Sequence, residues 1–128
     1  MTPTKADVTS QLPAFRAWLT AFGDAWESGA APEAAALFVV AATALPSPFA
    51  DLLNGRRAIG DWLSGLFAAW PSARFTAQIL GAGSTYGVAH WRVSSGSRAI
   101  DGVLVCALDG RGRCTSLRMW FHEGRAVD

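Results

Sequence analysis

The chain has little with which to hold a metal ion or staple itself together: two cysteines and two histidines among 128 residues. Cys106 and Cys114 have no third thiol and no histidine at ligand spacing beside them, which leaves a zinc site without donors. A turn centred on Gly110-Arg111 sets Cys106 opposite Thr115 and Cys114 opposite Ala107. The two thiols are then expected on opposite faces of a hairpin, where no disulfide joins them. Charge of one sign is also missing. Eleven basic against ten acidic side chains leave a formal charge of +1, which excludes the broad positive field that draws nucleic acid or an anionic membrane surface. Long apolar runs are absent too: the stretch from Ala34 to Leu45 is interrupted by Thr43 and stopped by Pro46, short of the roughly 20 residues that span a bilayer. The opening segment MTPTKADVTSQL has no apolar centre of the kind a secretory leader needs, so the expected location is the cytoplasm.

Apolar residues are plentiful, at 51%, enough to fill one core, and one domain over residues 1–128 is expected. Leu12, Phe15, Leu19, Phe22 and Trp26 recur at three- and four-residue steps, which predicts a helix from about Pro13 to Ser28, with Ser10 as cap and Gly29 as stop. Pro32 and Glu33 suit the first turn of a short second helix, which hands over to a strand near Val39. Pro46 and Pro48 predict a loop from Leu45 to Leu53, and Asn54-Gly55 leads into a third helix carrying Ile59, Trp62, Leu63, Leu66 and Trp70, ended by Pro71. The period then changes to two. Phe75, Ala77 and Ile79 alternate with Arg74, Thr76 and Gln78; Gly81 to Ser84 turn; Tyr86 to Val93 form the next strand. With Ser95-Gly96 at a hairpin tip, His90 is set across from Asp101 and Trp91 across from Ile100. A last hairpin, turning at Asp109-Gly110-Arg111-Gly112, pairs Asp101 with Trp120 and Val103 with Arg118. The fold class is α+β, with three N-terminal helices on a strongly curved antiparallel sheet.

Ala25-Trp26-Glu27-Ser28-Gly29, Leu37-Phe38, Pro48-Phe49, Gly55-Arg56-Arg57-Ala58-Ile59, Asp101-Gly102-Val103, Asp109 to Arg113, and Leu117 to His122 follow one another in an order that resembles the nuclear transport factor 2-like superfamily. Within it the likeness is to the SnoaL-like branch, whose relatives include ketosteroid isomerases, limonene epoxide hydrolases and polyketide cyclases. The resemblance implies a cone-shaped α+β barrel enclosing an apolar pocket, no cofactor, and a homodimer formed through the outer face of the sheet. It also implies catalytic acids that this chain lacks. The isomerase base falls at Pro46, its oxyanion-hole Tyr and Asp at Phe22 and near Leu104, and the epoxide hydrolase acid at Met119. Val39, Val40, Ala41, Ala42 and Ala44 stand where relatives often carry acidic or hydroxylic groups.

What remains is an apolar pocket, expected to be lined by Phe22, Trp26, Phe49, Trp62, Leu104, Cys106, Met119 and Phe121, that takes a small apolar ligand. His90 with Asp101 has the form of an oriented base, a carboxylate fixing an imidazole tautomer for proton transfer of the isomerase or lyase type. The same parity also sets both on the outer face with Arg92, Arg118, Trp120 and His122, as a dimer interface network. Only a bulge, for which Gly102 is the natural site, would turn Asp101 inward. A protein-interaction module is the third reading. Arg56-Arg57, at a helix start, reads as a solvated face, and Asp24 with Glu27 as an exposed pair.

Overall fold

A computed structural model of the chain describes the backbone of residues 5–126 and the side chains of residues 12–126. Residues 1–4, part of the segment read above for a leader, lie outside them. Three helices, α1 (Lys5–Ser28), α2 (Ala31–Ala35) and α3 (Arg56–Ala69), pack on a curved sheet of β1 (Phe38–Leu45), β2 (Leu53–Asn54), β3 (Arg74–Ala82), β4 (Tyr86–Ser95), β5 (Arg98–Leu108) and β6 (Cys114–Arg125). The strand order is β2-β1-β6-β5-β4-β3. The sheet is antiparallel except where β1 runs parallel to β6, an arrangement that hairpin reasoning does not reach because the two strands are far apart in sequence. No described helix is long and apolar enough to cross a membrane.

The expected apolar stripe of α1 is what holds it down. Phe15, Leu19, Phe22 and Trp26 are buried, joined by Trp18 and Ala25, and α3 contributes Ile59, Leu63 and Phe67. The helix starts earlier than its stripe. It runs through Ser10 and Pro13, so Ser10 is interior and not a cap, and the hydrogen bond that Pro13 cannot donate is forgone inside the helix. Arg56 is not solvated: its Nε and Nη2 donate to the Phe38 carbonyl at 2.9 and 2.7 Å. This ties the first turn of α3 to the start of β1 across a stretch where β1 loses step with β6 between Phe38 and Thr43.

Hairpin registers differ from expectation by one loop position, with a consequence that parity limits. Ser95 pairs with Arg98, so the loop is Gly96-Ser97, and Gly96 takes φ 60°, as the first residue of a tight primed turn requires. His90 therefore lies across from Val103 and Trp91 across from Gly102, while Asp101 pairs with His122 and Val103 with Trp120. A shift of one residue on each strand keeps every side chain on its expected face. The cysteines are the exception. A register shift between Ala107 and Leu108 adds one residue on β6 and returns Cys114 to the face of Cys106, so both are buried and free. Gly102 carries no bulge; it is there because a β-carbon would lie 2.0 Å from the Trp120 carbonyl oxygen.

Candidate functional site

Inside the cone the aromatic side chains pack on one another. Trp18 stacks on Phe22 at 5.0 Å between centroids, Trp26 on Phe67 at 5.3 Å, and Trp91 meets Trp26 at 5.8 Å and Phe121 at 5.8 Å. Of the residues expected to line an apolar hollow, Phe22, Trp26, Leu104, Cys106 and Met119 are instead fully buried core. Trp62 and Phe121 are half-buried at its margin. Phe49 is fully exposed on the loop after β1, at 102%, and packs on none of them. Volume explains the difference: the types and spacings of these residues predict an apolar lining, but how far the rings on α1 reach toward the sheet is set by its curvature.

Trp26 and Trp91 are each 1% exposed, yet their Nε1 donors have no acceptor. Trp18, on the same helix face, donates its own to the Leu37 carbonyl at 3.1 Å. An unmet buried donor costs about 1–3 kcal/mol, so two in one cluster call for an explanation. Burial among apolar groups also pushes the Cys106 thiol far above its ordinary range, with Cys114 adding to the effect. That leaves it a packing group and not a nucleophile.

The open space lies beside this cluster. A cleft of about 550 Å³ runs between α1 and the edge strand β3, lined on the helix by Arg16, Thr20, Gly23, Asp24 and Glu27 and on the strand by Phe75, Ala77, Gln78 and Ile79. Its size falls within the roughly 300–1,000 Å³ of small-molecule sites. Residues 16, 20, 23, 24 and 27 fall on successive turns of one face of α1, a row that sequence reading set aside because only Asp24 and Glu27 stood out, as a solvated pair. Glu27 has a structural partner, its Oε2 accepting the Phe75 backbone N–H at 2.8 Å, so the carboxylate caps the free edge of β3. Phe75 is the wall shared by cleft and core. Its ring lies nearly parallel to Trp91 at 6.4 Å and tilted over Trp26 at 6.1 Å, and it fits against α1 only because residue 23 is glycine: a β-carbon there would come within 2.4 Å of the ring.

On the opposite, outer face of the sheet, His90 Nε2 and Asp101 Oδ1 are 2.7 Å apart. The expected pair is thus real, reached diagonally across β4 and β5. Arg92 lies directly across from Asp101 on one side and His122 on the other, and Arg118 and Trp120 share this face by strand parity. Thr76, Gln78, His90, Arg92 and Asp101 border a shallow hollow of about 210 Å³. The pair is open to water, with side-chain exposures of 43% and 53%.

No family model matches the sequence, and no curated protein matches it. Solved structures do share its fold. The epoxide hydrolase/cyclase-like enzyme SalBIII, of pyran ring formation in the polyether salinomycin, superposes with a TM-score of 0.75 at 15% identity over 92% of this chain and 97% of that one. A ketosteroid isomerase-like protein from Kribbella flavida gives 0.67 at 18% identity, over 91% and 83%. An uncharacterized cystatin fold protein from Novosphingobium aromaticivorans gives 0.65 at 17% identity, over 80% and 93%. The α+β cone expected from the resemblance is therefore the fold of this chain, shared with these three proteins.

Proposed function

We propose that the protein binds a small, largely apolar molecule with a polar end in the cleft between α1 and β3, its apolar body against Phe75 and Ile79 and its polar end toward Arg16, Asp24 or Gln78. The observation that carries this reading is the position of Phe75, which lines the open cleft on one side and touches the aromatic interior on the other. Binding and not turnover is proposed because the positions to which the resemblance assigns the catalytic groups of the isomerases and epoxide hydrolases hold Pro46, Phe22, Leu104 and Met119. The last three are buried and apolar.

The test is titration with 1-anilinonaphthalene-8-sulfonate, whose fluorescence rises on leaving water. Saturable binding by the native protein is expected, weakened about tenfold or more in Thr20→Phe, which fills the cleft from an exposed position on α1. Equal binding by both proteins, or none by either, overturns the proposal.

A second reading concerns the outer face. Val103 and Val105 are half-buried there, Trp120 is an exposed large apolar side chain, and charged groups of both signs surround them. We propose that a homodimer forms through this face, with His90, Arg92, Asp101, Arg118 and His122 at its rim. An ion pair open to water is poorly placed for proton abstraction, which gains from a desolvated base, and well placed for a polar rim.

A further inference from the structure

The cleft explains where a ligand enters but leaves two polar atoms unexplained. Among the described residues no polar or charged side chain is buried, so the Nε1 donors of Trp26 and Trp91 are set in surroundings otherwise made of rings and aliphatic groups. The two indoles are neighbours, 5.8 Å between centroids, and Phe75, which packs on both of them, lines the open cleft as well. We infer that the ligand is a flat, uncharged molecule bearing a carbonyl oxygen, and that the N–H groups of Trp26 and Trp91 receive this oxygen once Phe75 swings into the cleft. This rests on the proposed binding reading and deepens it.

Each feature of the ligand answers a feature of the site. A carbonyl oxygen has two lone pairs and accepts from two N–H donors at once. A carboxylate would bring a full charge among rings with no cation to meet it, at a desolvation cost that one or two neutral donors do not offset. Flatness follows from Phe75 and Trp91, which lie within 14° of parallel with centroids 6.4 Å apart; a planar molecule replaces the phenyl ring while keeping this offset, near-parallel packing. Arg16 lines the cleft beyond Phe75, where it can reach a polar substituent at the far end of the ligand but not the buried oxygen.

The experiment compares 2-acetylnaphthalene with 2-isopropenylnaphthalene, which has the same outline with a methylene group in place of the oxygen. Binding to the full chain is followed by NMR of the tryptophan indole N–H groups. The ketone is expected to bind at least about tenfold more tightly, the worth of one of the two added buried hydrogen bonds. The Trp26 and Trp91 resonances should move downfield with the ketone alone, while that of Trp18, already bonded to Leu37, stays. Trp91→Phe should bring the two affinities within about twofold; should that variant not fold, the resonances of the native protein decide. Equal affinity for both compounds, with unmoved Trp26 and Trp91 signals, overturns the carbonyl assignment while leaving the cleft as a binding site. Binding of neither overturns both.

Discussion

At Gly23 the absence of one β-carbon decides the shape of the cleft. Gly23→Ala should push the Phe75 ring off α1, destabilising the protein by about 1–3 kcal/mol through overpacking and altering binding of the naphthalene probe; urea unfolding checks the first and fluorescence titration the second. Unchanged stability would mean that Phe75 packs elsewhere. Cys106 and Cys114 make the opposite case, side chains whose chemistry is suppressed by where they lie. Buried side by side, with the Cys106 thiol held in its protonated form, they should not react with a disulfide reagent such as 5,5′-dithiobis(2-nitrobenzoate) in the native state. Both should titrate at once in denaturant. Fast reaction of the folded protein would contradict the packing described. The sequence did not reveal this pair, because the one extra residue of β6, Thr115, set opposite the step from Ala107 to Leu108 and turning Cys114 to the face of Cys106, is a property of the backbone, with no residue type announcing it.

Elements were legible where a period marks them. The stripe from Phe15 to Trp26, the alternation of Phe75, Ala77 and Ile79, and the outer-face company of His90 and Asp101 all survive in the structure, the last because a hairpin shifted by one loop position keeps parity. Partners across strands were not legible, since they depend on which residue of Ser95-Gly96-Ser97 takes the positive φ. Arg56 shows a long-range link hidden in a local motif. Removing it in Arg56→Ala leaves the Phe38 carbonyl without both donors and should cost about 1.5–3 kcal/mol. Arg56→Lys should recover only part, since a point charge cannot supply the two-pronged contact; urea titrations of the three proteins decide, and a neutral Arg56→Ala would refute the clamp. At the last hairpin, Asp109 Oδ1 accepts the N–H groups of Arg111 and Arg113 at 2.8 and 2.9 Å, which lowers its carboxyl below the ordinary value. A lowered value means that the ionised form is the stabilising one. Its contribution is full above about pH 4 and is lost as the pH falls through the lowered folded value. The stability difference between the native chain and Asp109→Ala should therefore shrink on acidification below that point; a difference independent of pH would contradict it.

For the molecule as a whole, two faces of one sheet are given different work. The outer face, with Trp120 exposed and the His90–Asp101 pair at its edge, is proposed to meet a second copy. Sedimentation velocity should show a dimer that Trp120→Glu dissociates, whereas His90→Ala or Asp101→Asn should weaken it slightly, as exposed ion pairs contribute only about 0–1 kcal/mol. A native chain sedimenting as a monomer would end that proposal. The inner face carries the aromatic core and, at its edge, the cleft. Sequence reasoning had the greasy lining but placed the open space inside the cone, because the volume left over depends on sheet curvature and on how deeply Phe22 and Trp26 descend from α1. The most direct measurement is a crystal structure of the protein grown with 2-acetylnaphthalene. Electron density for the ligand between α1 and β3, with Phe75 displaced and the ketone oxygen beside Trp26 and Trp91, is the expected result; density only on the outer face near His90 and Asp101, with the α1–β3 cleft empty, would contradict the account.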